Sequence, residues 1–211
     1  MWILESLEYK TVKHSASDEF TEKRSRFIGY VRPVKTAQEA MSFIAEIQKK
    51  HWDAKHNVYA YILRDGNVKR YSDDGEPQGT AGVPTLDVLE KSGVTDVAVV
   101  VTRYFGGILL GGGGLVRAYS HAAHLALAAG EIVTMGLCTI LQTDVDYPLY
   151  AKLLPMLQKS EANILSTDFA DKVCLTLSVD SALEADFCAK VFDFSGGQLK
   201  PQKIGEKFAE K

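Results

Sequence analysis

Val97-Ala98-Val99-Val100-Val101-Thr102-Arg103-Tyr104-Phe105-Gly106-Gly107 runs through Ile108-Leu109-Leu110 into Gly111-Gly112-Gly113-Gly114, then Leu115-Val116-Arg117-Ala118-Tyr119-Ser120-His121. The valine run is too short for a typical helix and reads as a strand buried on both faces. Four glycines offer nothing to pack; they suit a backbone that turns tightly or comes very close to something else. Beyond them the spacing is helical. Val116, Tyr119, Ala123, Ala126 and Leu127 form the expected packing side, and Arg117, His121 and His124 fall within roughly 60° of arc as one polar stripe. Gly130 is the expected stop.

A glycine loop feeding a helix start points free backbone N–H groups and the positive dipole end at whatever lies ahead. Arg117, in the first turn, adds a bidentate donor for a phosphate. Gly111, Gly112, Gly113, Gly114 and Arg117 are therefore anion-site candidates, against the alternative that the glycines serve close helix–strand packing. No dinucleotide fingerprint or Gly-x-x-x-x-Gly-Lys-Ser/Thr loop is complete, so no cofactor is expected. Upstream, Asp73, Asp74 and Glu76 offer oxygens to a hard cation, but Asp-Asp-Gly is equally a turn signal, and the turn is the favoured reading. His121-x-x-His124 lacks the spacing of a zinc-hydrolase helix, and no metal site is expected. No Gly-x-Ser-x-Gly elbow exists, and no catalytic residue is assigned.

The segment before this region reads as antiparallel strands, Tyr9 to Val12 and on to Val34. In Arg26-Phe27-Ile28-Gly29-Tyr30-Val31-Arg32, alternation puts Phe27, Gly29 and Val31 on one face and Arg26, Ile28, Tyr30 and Arg32 on the other. Basic residues interleaved with an aromatic suit a surface that tracks a nucleic-acid backbone and stacks bases; an ordinary solvated sheet face has the same pattern. Thr36-Ala37-Gln38-Glu39 is a capping box for a helix with Ala40, Phe43, Ile44 and Ile47 inward. Residues 57–63 are a further strand, and a short helix follows Val83 with Gly93 past its end.

From Leu137 the pattern changes. Cys138 to Asp146 is a strand, Pro148 to Lys159 a helix, and Asn163 to Asp168 and Lys172 to Val179 two strands. Ser181-Ala182-Leu183-Glu184 reads as a second capping box, and Leu199 to Ile204 as a last strand before a short charged tail. That βαββαβ order is the ferredoxin-like pattern. Residues 1–135 and 137–205 are thus the two expected domains, joined by an exposed linker near Glu131 to Gly136.

The net charge is −3, and the first 135 residues carry 16 Lys+Arg against 16 Asp+Glu, so a polyanion site has to be a local patch. Three widely spaced cysteines fit reduced thiols in a cytoplasmic protein. No apolar stretch is long enough to span a bilayer, and Met1-Trp2-Ile3-Leu4-Glu5 lacks the regions of a signal peptide, so no membrane partner is expected.

Arg103-Tyr104-Phe105-Gly106-Gly107 and Gly113-Gly114-Leu115-Val116-Arg117-Ala118-Tyr119 resemble the signature of the IMPACT family, in its bacterial two-domain YigZ type. Asp73-Asp74-Gly75-Glu76-Pro77 with Gly79-Thr80-Ala81-Gly82, His51-Trp52-Asp53-Ala54 with His56-Asn57, and Lys23-Arg24-Ser25-Arg26-Phe27-Ile28 match the same family. The resemblance covers nearly the whole chain. It implies an α+β protein whose first domain is similar to a ribosomal-protein-type βα domain, as in domain IV of elongation factor G. The second domain is similar to that factor's ferredoxin-like domain V. Eukaryotic relatives restrain a starvation-sensing kinase, with an N-terminal domain that this sequence lacks. The leading reading is a non-enzymatic factor that binds structured RNA or the ribosome, with translation factors as further partners. Arg26, Arg32, Arg103 and Arg117 would contact phosphates, and Tyr30 and Tyr104 would stack. The competing reading is an enzyme acting on a phosphorylated small molecule held by the glycine loop.

Overall fold

The computed structural model describes residues 8–211; the reading of Met1 to Glu5 lies outside the described residues. The chain divides into two compact units, with residues 9–134 in one and Glu8 with residues 135–211 in the other. The first unit begins within β1 (Glu8–Val12), which is tied to this unit where Thr95 N–H donates to the Lys10 carbonyl at 2.8 Å.

The sheet of the first unit comprises β2 (Ala16–Glu22), β3 (Ser25–Pro33), β4 (His56–Leu63), β5 (Val68–Ser72) and β6 (Val97–Tyr104). Its order is β2-β3-β6-β4-β5, with every neighbour antiparallel. β6 is central, and all its residues up to Arg103 are buried. Alternation along it feeds two cores: Val97, Val99 and Val101 face α2 (Gly82–Ser92) and α3 (Gly112–Ala129), whereas Ala98 and Val100 face α1 (Ala37–Lys50). Helices on both faces explain how an antiparallel strand comes to be apolar throughout.

Thr36 caps α1, its Oγ1 accepting the Glu39 N–H at 3.1 Å, an interaction worth about 1 kcal/mol. The Glu39 carboxylate reaches back to the Lys35 N–H at 2.6 Å, one residue beyond the usual box. Ala40, Phe43, Ile44 and Ile47 of this helix bury Ile28 and Tyr30 of β3. The β3 face read as a stacking surface is therefore interior, and only Arg26 and Arg32 at its two ends reach water. On the opposite side α3 lies close on β3, because a Cβ at Gly29 would stand 2.4 Å from the Ala122 carbonyl oxygen. The packing face of α3 is Leu115, Ala118, Tyr119, Ala122, Ala123, Ala126 and Leu127; Val116, expected inside, is exposed.

The second unit is built on β7 (Ile132–Val145), α4 (Tyr147–Gln158), β8 (Asn163–Phe169), β9 (Val173–Asp180), α5 (Glu184–Phe194) and β10 (Gln202–Glu210). The order βαββαβ with an antiparallel β10-β7-β9-β8 sheet is the ferredoxin-like arrangement. Residues 132–136, read as linker, belong to β7, and the tail 205–210 belongs to β10. The two extensions are one feature, since Met135 to Thr139 pair with Glu210 to Glu206 and satisfy each other's backbone. The capping box at Ser181 does not form: the Glu184 carboxylate instead accepts from Thr139 Oγ1 at 2.8 Å, and α5 begins at Glu184.

Candidate functional site

Antiparallel register gathers the ends of several elements at one end of the first unit's sheet. Arg26 is opposite Tyr104, His56 opposite Arg103, and Tyr59 opposite Ser72. The β2–β3 turn, the α1–β4 turn, the loop from β5 to α2 and the loop from β6 to α3 therefore meet. Lys23–Ile28, His51–Asn57, Asp73–Gly82, Arg103–Gly107 and Gly113–Tyr119 are the stretches that form them.

The acidic loop is anchored by its own carboxylates. Asp73 Oδ1 accepts the N–H groups of Ala81 (3.1 Å) and Gly82 (2.8 Å) at the start of α2, and Oδ2 accepts that of Gly79 (2.9 Å). Asp74 Oδ2 accepts the Asn57 N–H at 2.6 Å, and the Asp74 carbonyl meets His56 Nδ1 at 2.7 Å. Glu76 turns inward, where Oε1 accepts from Arg103 Nη1 at 2.5 Å and Tyr119 OH at 2.8 Å. Burial, then the Glu76 charge, pushes the Tyr119 phenol far above its ordinary pKa. Arg103 also donates to Ser25 Oγ at 3.4 Å and lies 5.4 Å from the rings of both Phe27 and Phe105.

These contacts correct the expectation for Arg103 and agree with the turn reading of the acidic residues. Arg103 is buried and neutralised by Glu76, so it is a strut beneath the site and not a phosphate ligand. Asp73, Asp74 and Glu76 serve the turn and its anchoring. Among the described residues no group of three His, Cys, Asp or Glu side chains is arranged to hold a metal ion.

Tyr104, expected to stack, is held by its hydroxyl. It donates to Asp53 Oδ1 at 2.9 Å and meets His51 Nδ1 at 2.9 Å, while Tyr30 OH meets His51 Nε2 at 2.7 Å. With Tyr104 donating to Asp53, His51 Nδ1 carries the proton and Nε2 accepts from Tyr30. Burial, then the neighbouring Lys50, lowers the His51 pKa and favours that neutral form. Tyr30 sits under α1 and is unavailable for stacking.

The two remaining arginines of β3 separate. Arg26, at the assembled end, pairs with Glu19 at 2.6 Å on the surface. Arg32, at the far end of the strand opposite Ala98, makes a two-pronged contact with Glu46 (2.8 and 3.0 Å) and lies over Phe43. It does not belong to the site.

Gly111 caps the start of α3 at φ 74°, where a side chain is disfavoured, and Gly112 and Gly113 are exposed in the first turn. A Cβ at Gly111 would meet nothing within 4 Å, so the loop is open to water and not pressed against β6. Arg117 reaches back along the helix, its Nη1 lying 3.8 Å from the Cβ position of Gly113.

Several exposed residues of this end are not among the expected site residues, although alternation puts Arg24 in line behind the basic face of β3. Lys23 and Arg24 form the β2–β3 turn, Trp52 is 83% exposed, and Phe105 is exposed with Lys55 Nζ 5.7 Å from its ring centre. Beyond that alignment of Arg24, their only signal was their place inside motif stretches next to strand ends.

Residues 23–127 match the model of the Impact N-terminal domain, and residues 143–198 that of a domain of unknown function, DUF1949. The chain is 42% identical to IMPACT family member YvyE of Bacillus subtilis over 166 residues, 78% of this chain and 76% of that protein. It is 35% identical to IMPACT family member YigZ of Escherichia coli over 187 residues, 87% of this chain and 92% of the relative. A solved structure described as that of a hypothetical protein aligns with TM-score 0.60 and 32% identity, over 94% of this chain and 98% of its own.

Proposed function

The chain belongs to the IMPACT family, and from that premise we propose that it is a non-enzymatic cytoplasmic factor that binds structured RNA or the ribosome, with a role in translation or its regulation. One observation carries this reading. The assembled end of the first unit's sheet exposes Lys23, Arg24, Lys55 and Arg117 together with Trp52 and Phe105. Cations that follow a phosphate backbone and aromatic faces that stack unpaired bases are the two components of a single-strand or loop-binding surface. Beneath them the Glu76–Arg103–Tyr119 network holds the supporting loops in one arrangement, which lowers the ordering cost of binding. A neutral total for the first unit is compatible with this, because Asp73, Asp74 and Glu76 spend their charge on the protein's own groups.

The open glycine turn with Arg117 also suits a phosphorylated small molecule, the chemistry of an enzyme. The exposed Trp52 and Phe105 favour the RNA reading, since a small phosphorylated substrate would leave them unused. The test is anisotropy of a labelled RNA hairpin with an unpaired loop, titrated with the full chain from low to high salt, beside sedimentation of cell extract through a sucrose gradient. Binding that weakens steeply with salt and travel with ribosomal particles are the expected results. Absence of both overturns the reading.

A further inference from the structure

A cavity of about 290 Å³ lies between the β2–β3 turn and α3. Phe20, Leu110 and Ala118 form an apolar wall, Lys23 and Arg117 supply two cations from different elements, and His121, Glu22 and Gly114 complete the lining. Phe20 is held in place, stacked on Phe27 at 5.2 Å and met edge-on by His121 at 4.6 Å. The volume lies at the lower end of ligand pockets, roughly 300–1,000 Å³, which suits one nucleotide and not a larger ligand.

The turn bearing Lys23 is itself unusual. Glu22 pairs with Ser25, and the two residues between them, Lys23 and Arg24, have φ of 44° and 65°. This is the type I′ arrangement, whose usual residues are Asn and Gly because both central positions are left-handed. Two long cations stand there against local preference, so the needs of the turn do not account for them. The turn is also fixed from outside. Gly106 packs so tightly on it that a Cβ would stand 2.0 Å from the Arg24 carbonyl carbon. Lys23 is thus presented at the mouth of the cavity from a rigid support.

We propose that this cavity receives a single nucleotide unit of a bound RNA strand, with an unpaired base against Phe20 and His121 and its phosphate on Lys23 and Arg117. The proposal rests on the RNA reading above and names where one nucleotide is gripped. Apolar and aromatic walls take the base face, and paired cations take the phosphate. Glu22, an acceptor only, repels the phosphate from its side and receives N–H donors from the base edge, which orients the nucleotide.

The experiment titrates adenosine, guanosine and uridine 5′-monophosphates, and separately inorganic phosphate, into the full chain while the His121 ring signals are followed by NMR. An RNA hairpin with an unpaired loop is titrated in parallel. At least one mononucleotide should bind about tenfold more tightly than inorganic phosphate and shift His121. The informative variant is Lys23→Asn with Arg24→Gly, which gives the turn its preferred residues. It should raise the melting midpoint, weaken mononucleotide binding about tenfold, and weaken the hairpin as well; Arg117→Ala should weaken both ligands with little effect on the midpoint. If the hairpin binds but no mononucleotide does, or if these variants leave mononucleotide binding unchanged, the cavity assignment is wrong while RNA binding stands. If mononucleotides bind and the hairpin does not, the RNA reading fails and the proposed source of the nucleotide fails with it.

Discussion

Glu76 accepts the Arg103 guanidinium at 2.5 Å with the two side chains only 4% and 6% exposed, and Tyr119 donates to the same oxygen. The pair joins the acidic loop to the end of β6 and the first turns of α3. Removing one partner strands the other charge in a dry place. Arg103→Met and Glu76→Gln should each cost about 3–5 kcal/mol, measured by urea unfolding. Tyr119→Phe keeps the ring and removes one hydrogen bond to a charged acceptor, so its cost should be smaller, about 1.5–3 kcal/mol. A change below about 1 kcal/mol for Arg103→Met would show that the strut carries little.

The glycine turn should respond differently at neighbouring positions. Gly111 has φ 74°, so Gly111→Ala is strained and should cost about 1 kcal/mol or more. Gly113 has helical backbone, and its Cβ would meet Arg117 Nη1 at an ordinary 3.8 Å. Gly113→Ala should therefore be neutral or stabilising by about 0.4–1 kcal/mol. Melting midpoints of the two variants decide the matter; equal losses would contradict the open geometry.

Much of this arrangement was legible in the sequence, and the rest was hidden for physical reasons. Val97 to Val101 announced a doubly buried strand, and the βαββαβ order of the second unit was legible from Pro148 and Gly196-Gly197, although the capping box read at Ser181 does not form. Alternation in β3 gave its two faces correctly but not what covers them; α1, which buries Tyr30, is a tertiary fact. Arg103 looks like Arg117 in one dimension, because the carboxylate that neutralises it lies in another motif and meets it only through the sheet register. The β7 and β10 extensions have weak patterns singly and exist because each supplies the other's hydrogen bonds.

His51 supplies a pH dependence. Its folded pKa is depressed from 6.5, chiefly by burial, so protonation is easier in the unfolded chain. The stabilisation is complete above about pH 6.5 and is lost as pH falls through that value toward the depressed one. His51→Gln should be less stable than the parent at about pH 8, with the gap narrowing by about pH 5. A gap that widens on acidification would mean that the imidazole is held charged.

The C-terminal strand gives a separate check on the second unit. Residues 206–210 pair with β7, and Lys211 Nζ contacts Asp180 and Glu8, both at 2.5 Å. The backbone amides of this strand should exchange slowly with solvent. Deleting residues 206–211 should lower the melting midpoint by about 4 °C or more. Fast exchange and an unchanged midpoint would fit the frayed tail that the local sequence suggests.

The central claim is that the exposed end of the first unit's sheet, and not its buried arginine or the far end of β3, holds RNA phosphates. The most direct measurement is the salt dependence of hairpin binding for Lys23→Ala with Arg117→Ala, compared with Arg32→Ala. Losing one neutralised phosphate flattens the log–log slope by about 0.7–0.9, and Lys23 and Arg117 share one, so the double variant should lose about that much while Arg32→Ala matches the parent. A slope that ignores the double variant, or that changes as much with Arg32→Ala, would contradict the account.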